Sequence, residues 1–346
     1  MNRHQLDALA GAHRFSPRAG AAALALTGQR PDPAAWRAFG AAALQAAGLG
    51  ALGAGVIFFV AANWQALGVL GRFALLQAAL LTCVGIALWR PPPHRHGVAA
   101  SIGATLVTGA LLALFGQSYQ TGADLHELFF AWAALALPFA LAGGSGGLWA
   151  LWWGVLNVAL ALLCGWLGAD HAVWRLLAGR NIGRATALML PFAVNLAGAV
   201  AFAALRRTRM RAAAPRWLVE ALIGTGVLFG TAASIAVVTA HGGSRSAAPI
   251  GAPGVAVLLG YAAGCAAIAW ATLRRRGSVF PLAAVAAGGI AVSTAWLVKS
   301  RGFDIGGLFL LAGWLVVSST LAGAALLRCA RAWAPAGASL TSKGES

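Results

Sequence analysis

Apolar residues fill this chain in blocks of about twenty, divided by short polar breaks. Between Arg37 and Arg72 stand 34 residues without a charge, and about 20 suffice to cross a bilayer as a helix. The pattern predicts ten membrane helices, at 38–62, 69–89, 98–116, 127–142, 147–167, 186–205, 218–240, 255–273, 279–298 and 307–327. Turn chemistry marks the breaks: Arg90-Pro91-Pro92-Pro93, Gly143-Gly144-Ser145-Gly146-Gly147, and the Gly/Ser/Pro-rich stretch 241–254. The fourth helix is short and holds Pro138, which predicts a kink or tilt. The expected fold class is all-α, a polytopic transmembrane helical bundle of about ten spans.

Ahead of the first span, residues 1–35 read as a cytoplasmic leader with short helices near 3–13 and 17–27. Ser16-Pro17 is an N-cap and first-turn pair, and Gly28 a stop. Asp32-Pro33 repeats the start signal, and Trp36 sits where an interfacial anchor belongs. The domain organisation expected is a leader (1–35), five membrane helices (36–167), five more (168–327), and a cytoplasmic tail (328–346). A polar leader before a long apolar run is not the pattern of a cleavable signal peptide.

Composition sharpens this reading. Hydrophobic residues make up 60% of the chain and charged residues 10%, against roughly 25% charged in a soluble domain. Polar surface is too scarce to cover a globule in water. The net charge of +17 does not imply nucleic acid, because the arginines sit in the breaks and no basic segment is interleaved with aromatics. With the N-terminus inside, cytoplasmic segments hold 18 Arg and Lys and outer segments 7; without the leader the count is 13 to 7. The positive-inside rule then places both termini in the cytoplasm. Only Lys299 and Lys343 are lysines, and that bias, with abundant Ala and Gly, predicts a GC-rich bacterial source and hence the inner membrane. The cysteines, Cys83, Cys164, Cys265 and Cys329, form no CxxC pair and read as small apolar residues.

Small residues recur every fourth position: Ala43, Ala47, Ala51 and Gly55; Ser101, Thr105, Gly109 and Ala113; Gly226, Gly230 and Ser234; Gly260 and Gly264; Ala283, Ala287, Ala291 and Ala295. Such stripes let helices approach closely in lipid. Asn157 and Asn195 are intramembrane amides suited to interhelical hydrogen bonds.

Carboxylates are rare, and none falls at a predicted midplane: Asp7, Asp32 and Glu345 lie in leader and tail, Glu220 near a cytoplasmic helix start, Asp124, Glu127, Asp170 and Asp304 on the outer side. This counts against a mid-membrane proton relay. The outer side instead gathers Asn63, Arg72, Gln117, Tyr119, Gln120, Asp124 and Asp304 near helix ends. These form a candidate outer-side polar site or are ordinary caps and interfacial residues. Gly122-Ala-Asp124-Leu-His-Glu-Leu128-Phe129 echoes Gly302-Phe-Asp304-Ile-Gly-Gly-Leu308-Phe309, 180 residues on. The echo is either a remnant of a parallel repeat or shared capping chemistry; in both, each Asp should accept backbone N–H bonds at its helix start, and Arg72 is a natural partner for Asp124. His126-Glu127 lacks an HExxH context, and His94 and His96 read as a solvated loop. No catalytic, metal or cofactor site is expected.

Gly53-Ala-Gly55-Val-Ile-Phe-Phe-Val-Ala-Ala-Asn63-Trp64 with Arg72, and Phe115-Gly116-Gln117-Ser-Tyr119-Gln120-Thr121-Gly122-Ala-Asp124 with Leu128, Phe129 and Trp132, resemble the signature of the bacterial membrane family called domain of unknown function 2157. The resemblance covers roughly 1–165; the leader departs from it in being rich in Ala and Arg. It implies an inner-membrane protein without assigned biochemistry.

Three functions fit: a protein binding or transporting a small solute, of unknown identity, at the outer polar site; a structural or assembly protein of the envelope contacting other membrane proteins; and a lipid-acting enzyme, disfavoured because no catalytic constellation is visible. The partner common to all three is the lipid bilayer.

Overall fold

The computed structural model describes residues 16–26, 34–119 apart from scattered positions between 35 and 61, 122, 124–165, 182–208, 214–241, 250–275, 278–301 and 305–333. The helix predicted at 3–13 and most of the first span lie outside them. The chain divides into two compact units, Phe73–Trp333, and Met1–Arg72 with Ala334–Ser346.

In the unit that begins at Met1, α1 (Pro17–Leu26) starts where its cap signal stands. Ser16 Oγ accepts the Ala19 N–H at 3.2 Å and the Ser16 carbonyl accepts that of Gly20 at 2.9 Å, while Pro17 supplies the first helical residue, where a missing N–H costs nothing. Every described residue from 34 to 62 is helical. The Asn63 carbonyl then accepts from Ala66 and Leu67, closing a turn.

Nine helices follow: α2 (Val69–Trp89), α3 (Arg95–Tyr119), α4 (Leu125–Gly143), α5 (Gly146–Leu163), α6 (Ile182–Leu205), α7 (Arg216–His241), α8 (Ala252–Arg275), α9 (Phe280–Arg301) and α10 (Ile305–Trp333). All nine are long and apolar enough to cross a membrane, and the described residues contain no strand. The chain is therefore an all-α polytopic membrane protein. At 1.5 Å per residue, α2 alone is roughly 31 Å long, about the thickness of the hydrocarbon core.

Helix ends follow local chemistry. Gly144, at φ 53°, closes α4 in the left-handed conformation that glycine adopts without a Cβ penalty. The next residue, Ser145, opens α5 by accepting the Leu148 N–H at 3.3 Å. The fifth span was expected to reach 167, but α5 ends at Leu163, with Cys164 as its C-cap and Gly165 at φ 66°. Helix α4 runs unbroken through Pro138.

Within Phe73–Trp333, α7 is the most buried of the nine helices, with 67% of its apolar stretch buried. One core cluster joins Phe192 of α6, Phe229, Ala233 and Val237 of α7, and Val257 and Tyr261 of α8. A second joins Trp153 of α5, Ala199 and Phe202 of α6, and Leu218 and Leu222 of α7. The small-residue stripes explain the closeness. A Cβ on Gly230 would meet Phe192 Cδ2 at 2.9 Å, and one on Gly109 would enter the Trp132 ring. By contrast, α2 and α10 bury none of their residues.

Candidate functional site

The seven residues expected to form an outer polar site fall into three groups. Asn63 and Arg72 belong to the unit that begins at Met1. There the Arg72 Nε–H donates to the Trp64 carbonyl at 3.0 Å, and its guanidinium carbon lies 5.0 Å from the Trp64 ring centre. Arg72 is thus held by a backbone acceptor and an aromatic face, an arrangement suited to the headgroup level.

Gln117, Tyr119 and Asp124 belong to the other unit, and all three are exposed. Tyr119 packs its ring 4.9 Å from that of Phe115, one turn earlier, and 6.3 Å from that of Phe73. Asp124 occupies the N-cap position of α4 with extended backbone, φ −66° and ψ 148°. Its carbonyl accepts from Glu127 at 3.0 Å and Leu128 at 3.4 Å. The expected carboxylate cap is corrected here: the Asp124 side chain accepts no cap hydrogen bond. The backbone alone fixes the turn, aided by Gly122 at φ 64°, and an exposed carboxylate is served as well by water as by a frayed helix end. Gln120 and Asp304 lie outside the described residues, so the second half of the echo does too.

Buried polar chemistry lies deeper in the helices. Asn195 of α6 is 0% exposed. Its Nδ2 donates to Asn157 Oδ1 of α5 at 2.6 Å, and Asn157 Nδ2 returns a bond to Asn195 Oδ1 at 3.2 Å. Each amide also donates to a carbonyl one turn earlier, Trp153 for Asn157 and Pro191 for Asn195, both at 2.8 Å. Pro191 lacks the N–H that would reach the Ala187 carbonyl; the Cys164 thiol donates to that oxygen instead, at 3.3 Å.

Elsewhere Tyr261 of α8 bonds Thr231 of α7 at 2.8 Å, Trp132 Nε1 donates to the Thr105 carbonyl of α3, and Trp152 Nε1 to the Ala133 carbonyl of α4, both at 2.8 Å. Trp153 Nε1 and Thr294 Oγ1 are buried with no hydrogen-bond partner among the described residues. These bonds cross between helices in a medium without water, where polar side chains act as glue. Among the described residues no three His, Cys, Asp or Glu side chains gather as a metal site would require.

A pocket with a charged rim lies at the opposite end of α3. It has a volume of about 440 Å³ and is lined by Ile86, Trp89, Arg90, His94, Arg95 and His96. Pattern reading missed it, taking His94 and His96 for a plain solvated loop. The signal that could have found it is Gly97, the residue that lets the turn fold down on its helix: a Cβ there would collide with the Arg90 carbonyl oxygen and lie 2.9 Å from Pro92 N.

Comparison with known proteins bears on the first half of the chain. Residues 7–149 match the family model described as predicted membrane protein (DUF2157). No curated protein and no solved structure matches the chain. The DUF2157 match takes in α1 to α4, both motifs that carry the resemblance, and the pocket at the start of α3. The family has no assigned biochemistry, so it supports a membrane protein and names no ligand.

Proposed function

We propose that this chain is a multi-pass protein of the bacterial inner membrane, with both termini in the cytoplasm, that acts as a structural or assembly component of the envelope through lateral helix contacts. The observation that carries this reading is Gln77. It stands in the ninth position of the 21-residue α2, roughly 12 Å along a span of roughly 31 Å. Its side chain is exposed, on a helix with no buried residue, and it has no hydrogen-bond partner among the described residues. An amide facing hydrocarbon leaves two donors and an acceptor unmet, which costs several kcal/mol. A polar side chain from a neighbouring helix relieves that cost.

The test places a photocrosslinking residue at Leu81, 71% exposed and one turn from Gln77. In native membranes a discrete protein adduct is expected there and not at Val200, which is as exposed, at 71%, on α6. Adding Gln77→Leu should abolish the adduct. An adduct that survives Gln77→Leu unchanged, or equal adducts at Leu81 and Val200, would refute the reading.

A further inference from the structure

The pocket at the α2–α3 turn combines two features. Its floor is apolar, made by Ile86 and Trp89 from the last turn of α2. Its rim carries two cations, Arg90 and Arg95, beside His94 and His96. The Arg90 guanidinium carbon lies 4.9 Å from the Trp89 ring centre, so the cation is braced on an aromatic face. None of the four rim residues forms an ion pair among the described residues, whereas Arg216 pairs with Glu220 at 3.0 Å. Neither the Arg90 nor the Arg95 guanidinium donates to any described protein acceptor, so among the described residues both forks of N–H groups are open to a ligand.

A helix start stands at the same place. Helix α3 is 25 residues long and begins at Arg95. The His94 carbonyl accepts the Val98 N–H at 3.0 Å, which makes His94 the capping residue. The His96 N–H is taken by His94 Nδ1 at 3.3 Å. That bond makes Nε2 the proton-bearing nitrogen of a neutral His94 ring, a further donor. The His94 and His96 rings stack with centres 5.1 Å apart, which holds the rim in shape. The positive end of the helix dipole favours an anion, and guanidinium forks match the oxygens of a phosphate group.

We infer that this pocket binds a phosphate-bearing anion, held by Arg90 and Arg95 over the Trp89 floor. Two sources share that chemistry, an anionic phospholipid headgroup and a soluble phosphate. The apolar floor at the end of a membrane helix suits the first, since basic pockets at the ends of spans recognise anionic headgroups.

The experiment uses the full chain, purified in detergent and stripped of lipid, titrated with phosphatidylglycerol and separately with phosphatidylcholine, and read by native mass spectrometry. Phosphatidylglycerol should bind more tightly, by on the order of tenfold to thirtyfold, the factor that two arginines supply near a headgroup. Arg90→Gln/Arg95→Gln should bring its affinity down to that of phosphatidylcholine. Arg274→Gln/Arg275→Gln removes the same charge at the end of α8 and should leave the preference intact. Gly97→Ala keeps every charge but displaces the turn, and should weaken binding as well. The single variant Arg95→Gln, at an exposed side chain, guards against loss of fold in the double variant and should retain part of the preference. Displacement of the lipid by inorganic phosphate would assign the site to a soluble source, and its failure to displace would assign it to lipid. The inference is overturned if Arg90→Gln/Arg95→Gln keeps the wild-type preference, or if the two double variants lose it equally.

Discussion

Replacing Asn195 tests whether buried amides hold this bundle together. Asn195→Ala removes the 2.6 Å bond to Asn157 Oδ1 and the returning 3.2 Å bond. Asn157 keeps its bond to the Trp153 carbonyl, but its Oδ1 is left without a donor. A buried polar atom left unmet costs about 1–3 kcal/mol, so each single variant should lose about that much. Asn157→Ala/Asn195→Ala orphans nothing on the partner side and should lose less than the sum. Coupling energies for such pairs in membrane proteins centre near 0.6 kcal/mol and reach about 1.7. This pair is reciprocal, with one member fully buried, which places it in the upper part of that range. Leu is a poor replacement, because a Cβ on Gly226 would come within 3.3 Å of Asn195 Cβ and a longer branched side chain would press on α7. The assay is reversible unfolding in mixed micelles for wild type, both singles and the double. A coupling energy indistinguishable from zero, within about 0.3 kcal/mol, would refute the pairing.

Three further outcomes can be checked. Asp124→Ala should change stability by less than about 0.5 kcal/mol, whereas Ser145→Ala should cost about 0.5–2 kcal/mol, because only Ser145 makes a side-chain cap bond; thermal unfolding of the two variants decides it. Gly109→Ala should destabilise by about 1–3 kcal/mol through collision with Trp132 and strain on its bond to the Thr105 carbonyl, with a red-shifted fluorescence component as the reporter. Reporter fusions near 93, 145, 210 and 276 should read cytoplasm and those near 66, 121, 176, 246 and 302 periplasm; a consistent inversion would reverse the orientation.

The helices were largely legible in the sequence, for a simple reason. In lipid the backbone must satisfy itself, so apolar length alone predicts a helix. The 69–89 span matches α2 residue for residue. Errors lie at the ends: α3 extends to Arg95 and Tyr119, and α10 to Trp333, past Arg328 and Arg331. Charge stops an apolar count, but a helix continues while long side chains snorkel toward the headgroups. The site was less legible. The N-cap position of Asp124 is a backbone property and could be read from Gly122 and the apolar run after it; the direction of an exposed carboxylate could not. The Asn157–Asn195 bond could be foreseen as interhelical, and the two amides indeed found each other. The basic pocket depends on how closely Gly97 receives the Arg90 carbonyl, a contact that no pattern of apolar positions records.

Cys164 sets a rule for anyone engineering this chain for labelling. Accessibility mapping with maleimides begins by removing every native thiol, and alanine is the habitual substitute. At Cys164 that habit would strip the donor from the α6 carbonyl that Pro191 leaves open. Serine keeps a donor of similar reach, so a labelling background with Ser at 164 should preserve the wild-type bundle where one with Ala loosens it.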